Sequence, residues 1–199
     1  MAKKFDKIIV VDLEATCWEE NTTTADLEKA GIEFDPWLHQ GDQVSEIIEI
    51  GVCAYNVQMG DISDPMSILV RPTSSKVSEY CVKLTGHTEE DLRKHGIPYL
   101  GAVNRLRKHF GPKHRIMASW GNYDWYMVSQ QCLREEVPFP FGRSHINVKE
   151  KHCIHRKLEK ALGLGAAIDH EGMKFEGTPH RGVDDAYNIA KILKRLLEG

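Results

Sequence analysis

Lys7-Ile8-Ile9-Val10-Val11-Asp12-Leu13-Glu14-Ala15 decides how this chain is read. Four successive β-branched residues, Ile8 to Val11, bounded by polar ones, predict a buried strand over 7–13. Alternate side chains on a strand share a face, so Asp12 and Glu14 project from the same side of the sheet. In an apolar strand two neighbouring carboxylates repel each other and lose hydration, and a shared cation relieves both costs. An acid pair at a strand end is equally what a solvated terminus looks like, so the pair alone leaves both readings open.

Working outward, residues 47–55 read as a second strand. Residues 67–70 read as a third that stops at Arg71-Pro72, and the three together suggest an antiparallel meander. The polar stretch 19–43 carries the turn signals Asn21-Thr22-Thr23-Thr24, Asp35-Pro36 and Gly41-Asp42. It is expected to be an exposed excursion with no more than a helical turn, its Trp18 and Trp37 packed onto the sheet. Thr88 can cap a short helix whose first turn, Glu89-Glu90-Asp91, is acidic as the helix dipole prefers. A longer helix is predicted over 100–110, with Leu100, Val103, Leu106 and Phe110 on one face and Gly111-Pro112 ending it. Residues 115–120 form another apolar strand, 124–136 a helix closed by Val137-Pro138, and 149–162 a charged helix ending at Gly163. A last helix over 183–197 should bury Val183, Ala186, Ala190, Leu193 and Leu197. Strands first, then helices alternating with strands, point to an α/β fold with a mixed sheet flanked by helices. With 199 residues, 41% hydrophobic, and no repeat, linker or low-complexity block, one domain over 1–199 is expected.

No apolar run approaches membrane-spanning length, and the one after Met1-Ala2-Lys3-Lys4 ends at Asp12, too short for a signal peptide. A cytoplasmic protein with no membrane association is expected. Five cysteines, odd in number and without a Cys-x-x-Cys pair, read as free buried thiols in a reducing compartment. A net charge of −3 argues against a general nucleic-acid coat, although an acidic metal centre can hide a basic rim. Arg105, Arg107, Lys108, Lys113 and Arg115 are one candidate rim; Lys149, Lys151, Arg156, Lys157 and Lys160 are another. Solvated helix faces explain both runs equally well. Lys151-His152-Cys153-Ile154-His155 has no second ligand pair at zinc spacing and is expected to be an exposed helix face.

Asp124 follows the strand ending Ala118-Ser119-Trp120-Gly121, where chain ends gather in α/β folds; a helix N-cap would explain it as well. His180 and Asp185 frame the start of the last helix. Pro179 and Gly182 keep His180 off the helix, while Asp185 in its first turn can point back to the sheet. Neighbouring helical residues differ by about 100° in direction, so Asp184 is assigned to capping.

Asp12-Leu13-Glu14-Ala15-Thr16-Cys17, Ser45-Glu46-Ile47-Ile48-Glu49-Ile50-Gly51, Leu84-Thr85-Gly86, Trp120 to Asp124, and His180-Arg181-Gly182-Val183-Asp184-Asp185-Ala186-Tyr187-Asn188-Ile189-Ala190 together resemble the DEDDh 3′-to-5′ exonucleases. Among these they look most like the subfamily of the histone-mRNA 3′-end exonuclease and the enhancer-of-RNAi exoribonucleases. The motifs run in order over nearly the whole chain. The resemblance implies a ribonuclease H-like fold, two Mg²⁺ or Mn²⁺ ions, and release of 5′-mononucleotides from single-stranded RNA or DNA 3′ ends. It assigns Asp12 as the ligand shared by both ions, Glu14 and Asp185 to the ion carrying the attacking water, Asp124 to the second ion, and His180 as general base. It also places Ala15 and Thr16 against the terminal sugar and phosphate, Leu84 beside the base, and Tyr80 and Tyr123 in stacking positions; for Tyr80 and Leu84, core packing is an equal alternative. The strand opening so near Met1 suggests that the histone-mRNA enzyme's separate N-terminal RNA-binding domain is missing, and any protein partner is unknown. Two other functions compete: a DNA-directed exonuclease on the same fold, since no contact to a 2′-hydroxyl is identifiable, and a nucleic-acid-binding module without turnover, against which the five intact positions argue.

Overall fold

The computed structural model describes residues 4–19, 39–40 and 43–199. Its strands are β1 (Lys7–Ala15), the two-residue pair β2 (His39–Gln40) and β3 (Gln43–Val44), β4 (Ile47–Asn56), β5 (Asp61–Leu69), β6 (Ile116–Ser119) and β7 (His145–Asn147). The helices are α1 (Glu79–Thr85), α2 (Glu89–His95), α3 (Tyr99–Phe110), α4 (Tyr123–Arg134), α5 (Val148–His155), α6 (Leu164–His170) and α7 (Gly182–Glu198). The main sheet runs β5-β4-β1-β6-β7. Its central strand β1 is antiparallel to β4 and parallel to β6, which makes the sheet mixed, as expected from the sequence.

Period-two alternation divides the apolar side chains of β1 between two cores. Ile9, Val11 and Leu13 pack with Ile50 and Val52 of β4 under α3 and α4. On the opposite face Ile8 and Val10 join Cys53 and Tyr55 beneath Ala186, Ile189, Ala190 and Leu193 of α7. Asp12 and Glu14 continue this second row, so they lie on the face that α7 covers.

Several expectations are corrected by this packing. Strand β5 begins at Asp61, not residue 67, because its position at the sheet edge tolerates Pro65 and an exposed polar pattern. In α3 Val103, Leu106 and Phe110 are buried as expected, but Leu100 is 49% exposed and Tyr99 and Ala102 complete the buried stripe instead. Helix α7 buries a broader face than a single stripe, adding Ile192 and Leu196, because it lies against β1, β4 and β5 and also meets α5 and α6. Val183 is consequently half-buried and Leu197 exposed. The charged helix expected over 149–162 is only α5. It ends where Lys157 takes a left-handed φ of 54° and Leu158 N–H donates back to the Cys153 carbonyl at 2.9 Å, a helix stop normally marked by glycine. Helices α1 and α6 and strand β7 were not foreseen, being too short for a periodic signal.

The cysteines are all unpaired; Cys53, Cys81 and Cys132 are buried, Cys17 and Cys153 partly open. His152 is buried, contrary to the exposed face expected of it. Its Nε2 lies 3.0 Å from Glu171, whose carboxylate also receives Arg156 at 2.7 Å and Arg195 at 3.0 Å. His170 lies nearby, but with two guanidiniums already on Glu171 this cluster has no charge left for a cation. Most of the excursion over 19–43, with Trp37, lies outside the described residues; Trp18 is half-buried. No helix among the described residues is long and apolar enough to cross a membrane.

Candidate active site

Register places four residues in a square on the α7 face of the sheet: Asp12 opposite Gly51, and Glu14 opposite Glu49. Helix α7 can approach so closely because Gly51 and Gly182 have no side chains. A Cβ on Gly51 would fall 1.8 Å from the Gly182 carbonyl carbon, inside the backbone. The docked helix delivers Asp185, and carboxylate oxygens of Asp12, Glu14 and Asp185 lie within 4.8 Å of one another.

Asp124 enters from the other direction. Residues 119–124 lead from β6 into α4, where Asp124 lies in the first turn behind the N-cap Asn122, so capping is not its role. Its Oδ1 accepts the Leu13 N–H at 3.0 Å, tying it to the strand between the two β1 acids. Asp184 does not cap the helix as expected; it lies inside the first turn of α7, and its carboxylate accepts the Thr178 N–H of the preceding loop at 2.8 Å. His180 is exposed and holds a φ of 62°, a left-handed conformation that histidine adopts more readily than most residues. Asp12, Leu13, Glu14, Trp120, Tyr123, Asp124, Leu164, His180 and Asp185 together line a cleft of about 240 Å³.

So many acids in one place resist ionising together. Burial, then the charges of Asp124, Asp185, Glu14 and Glu49, push Asp12 well above the usual carboxylate range. Glu14 is pushed up to about 9 by burial first and then by Asp185 and Glu49. Burial likewise lifts Asp124 and Asp185 to about 7, against the pull of backbone N–H groups from Leu13 and His180 respectively. Asp185 Oδ2 is buried and has no hydrogen-bond partner among the described residues. An orphaned carboxylate oxygen within a cluster of mutually repelling acids is what a divalent cation would satisfy, and an all-oxygen donor set suits Mg²⁺ or Mn²⁺ better than zinc.

Residues expected to meet a nucleotide lie at the end of β1, on α1, which the Cys81 thiol ties to the Ala15 carbonyl, and at the start of α4. Of these five only Tyr123 lines the cleft itself. Ala15 is half-buried at the end of β1, Leu84 half-buried on α1, and Tyr80 40% exposed on α1, so core packing does not account for Tyr80. Thr16 is fully buried. Its N–H donates to the Glu46 carbonyl, and its hydroxyl accepts the Glu46 N–H at 2.9 Å and meets Ser75 at 2.8 Å. The same Ser75 helps Thr73 and Ser74 surround the Glu46 carboxylate, so Thr16 is spent on fixing this loop. Leu164 and Glu49 escaped the sequence reading. Leu164 belongs to the unforeseen α6, while Glu49 had a visible signal, a lone charge within Ile47-Ile48-Glu49-Ile50.

The sequence model of the RNase_T exonuclease family matches residues 9–193, spanning every group of the cleft. The chain belongs to the exonuclease family. It is 30% identical to 3′-5′ exoribonuclease 1 of Rattus norvegicus, aligning 98% of this chain with 54% of that one. It is 25% identical to the 3′-5′ exonuclease Snipper of Drosophila melanogaster, over 97% of this chain and 70% of that one. The chain thus spans about half the length of the exoribonuclease 1 relatives it matches. Among solved structures, the nuclease domain of 3′hExo, a DEDDh family member bound to rAMP, superposes with a TM-score of 0.80 at 26% identity, covering 100% of this chain and 94% of that one. The mixed sheet flanked by helices is therefore the ribonuclease H-like exonuclease fold.

Proposed function

We propose that this exonuclease-family chain hydrolyses single-stranded RNA, and single-stranded DNA as well, from the 3′ end and releases 5′-mononucleotides. The observation that carries this is the gathering of Asp12, Glu14, Asp124, Asp185 and His180, drawn from three separate stretches of sequence, around one cleft. Asp12, Glu14 and Asp185 would hold two divalent cations, Mg²⁺ or Mn²⁺, with Asp124 completing the set. Bound there, the ions supply Lewis acidity and lower the pKa of water. His180, on an exposed turn at the cleft edge, receives the proton of the attacking water. Trp120, Tyr123 and Leu164 offer the terminal nucleoside apolar and aromatic walls that do not discriminate between bases.

The basic segments are modest, and their arginines are partly engaged within the protein. Arg115 is paired with Asp6, Arg156 with Glu171, and Arg107 with the Pro138 carbonyl, which favours distributive digestion. RNA and DNA of equal sequence, labelled at the 5′ end and incubated with Mg²⁺, Mn²⁺ or chelator, should give a ladder of shortened products only with metal. Cleavage of a circular strand would refute the exonuclease reading. The relatives' names favour RNA, and the reading extends to a cytoplasmic protein acting as a single domain.

A further inference from the structure

Glu49 lies beside the acids of the cleft but does not line it, and it is 1% exposed. Its oxygens are already occupied. Oε2 accepts the His87 ring Nε2–H at 2.7 Å and the Gly182 N–H at 3.1 Å, and Oε1 accepts the Val183 N–H at 3.3 Å. These last two are the first N–H groups of α7, whose N-cap, Arg181, makes no capping bond with its own side chain. A carboxylate 133 residues earlier in the chain therefore caps the helix. The Arg181 guanidinium lies against the same ring, its Nη1 3.1 Å from His87 Nδ1 and 3.4 Å from Nε2. Glu49 and His87 thus hold backbone and side chain of the 181–182 segment at once, directly after His180. Burial works to raise the carboxyl of Glu49, yet His87, Ser67 and the Gly182 N–H outweigh it and hold it below the usual range. The protein thus keeps an ionised carboxylate beside acids that its charge makes harder to ionise.

We infer that Glu49 is a positioning residue for the proposed hydrolysis: with His87 and Arg181 it clamps the turn carrying His180, setting the imidazole over the cleft without touching substrate or metal. Several features of the local geometry agree. His180 is in a left-handed conformation, between Pro179 and a Gly182 seated on Gly51, so a small rotation of the 181–182 peptide would redirect the imidazole. Displacements of about 1 Å in such groups cost on the order of 10²-fold in rate. Glutamine at position 49 would keep the size but turn an NH₂ toward one of the donors now served by oxygen.

This inference rests on the exonuclease reading, and a double-mutant cycle separates the two. Glu49→Gln should lower kcat about 10- to 100-fold, leave KM within about threefold, and leave the Mn²⁺ stoichiometry seen by calorimetry unchanged. In a His180→Ala background the same substitution should cost less than about threefold, because the group it positions is gone. Equal losses in both backgrounds, an unaltered kcat, or loss of a bound ion would each overturn the inference. If Glu49→Gln does not fold, Arg181→Met at the half-buried outer end of the clamp takes its place, with a smaller kcat loss that again vanishes without His180. A wild-type chain inert on every 3′ end would refute the exonuclease reading itself.

Discussion

Asp12 and His180 fail differently when removed, and that difference tests their roles. Asp12 is raised by burial and by repulsion from Asp124, Asp185, Glu14 and Glu49 together. Asp12→Asn should abolish nearly all hydrolysis while leaving the apo-protein more heat-stable, by about 2–4 °C for each kcal/mol of repulsion relieved. Thermal melts and Mn²⁺ titration calorimetry check this; two ions still bound by the variant would show that Asp12 is not the shared ligand. His180→Ala should bind Mn²⁺ as the wild type does and lose about 10²- to 10⁴-fold in turnover, the usual worth of a positioned base. Single-turnover rates near the wild-type value in a folded His180→Ala would remove the histidine from the mechanism.

The candidate site is assembled by docking one helix on two strands, and its tolerance is set by glycine. At Gly51 a methyl group would be driven into the Gly182 backbone at 1.8 Å, where no side chain can move aside. Gly51→Ala should therefore shift the start of α7, separating Asp185 from Asp12 and Glu14, and cost about 3 kcal/mol or more of stability. Urea unfolding together with an activity assay measures both effects, and a Gly51→Ala protein of wild-type stability and rate would mean that α7 is seated elsewhere. The same dependence on docking explains why the start of α7 needs no capping side chain of its own, since β4 provides one. Helices α1 and α2, by contrast, are capped locally by Ser78 and Thr88.

Taken as a whole, the molecule carries its acids in two opposite electrostatic arrangements. Folding raises Glu14 to about 9 and Asp124 and Asp185 to about 7. In the unfolded chain these groups ionise near 4. A raised group contributes stability that is complete below its unfolded value and disappears as pH climbs through its folded value. Glu171 and Asp6, held near 2 by Arg156 and Arg115, have the reverse sign, and their contribution is lost only in more acidic solution. The metal-free protein should therefore lose melting temperature between about pH 5 and 9. Saturating Mg²⁺ should restore it at the alkaline end, by about 2.7 kcal/mol at a hundred times the dissociation constant. Melting curves at pH 5, 7 and 9 with chelator or Mg²⁺ measure this, and a chelated protein that gains stability with rising pH contradicts it.

Local composition was enough to reveal β1, β4, α2 and most of α3, α4 and α7, because each has a periodic apolar run or a cap within a few residues. The acids and His180 were legible for a related reason, since each stands out against its immediate surroundings: Asp12 and Glu14 at the end of an apolar strand, Asp124 after another, His180 and Asp185 at a helix start. What the sequence could not disclose depends on contacts between distant stretches. Pro65 hid the first half of β5 until its edge position was known, and Lys157 ended α5 without glycine. Burial of His152 required Glu171, and Thr16 proved to be spent on Glu46 and Ser75. Glu49 is the clearest case. A glutamate in an apolar strand announces that something must pair with it, but only the packed sheet and helix show the partners to be His87 and two helical N–H groups more than 130 residues away. Hydrogen bonds of that kind depend on where folding brings backbone atoms, and no pattern of neighbouring side chains encodes that.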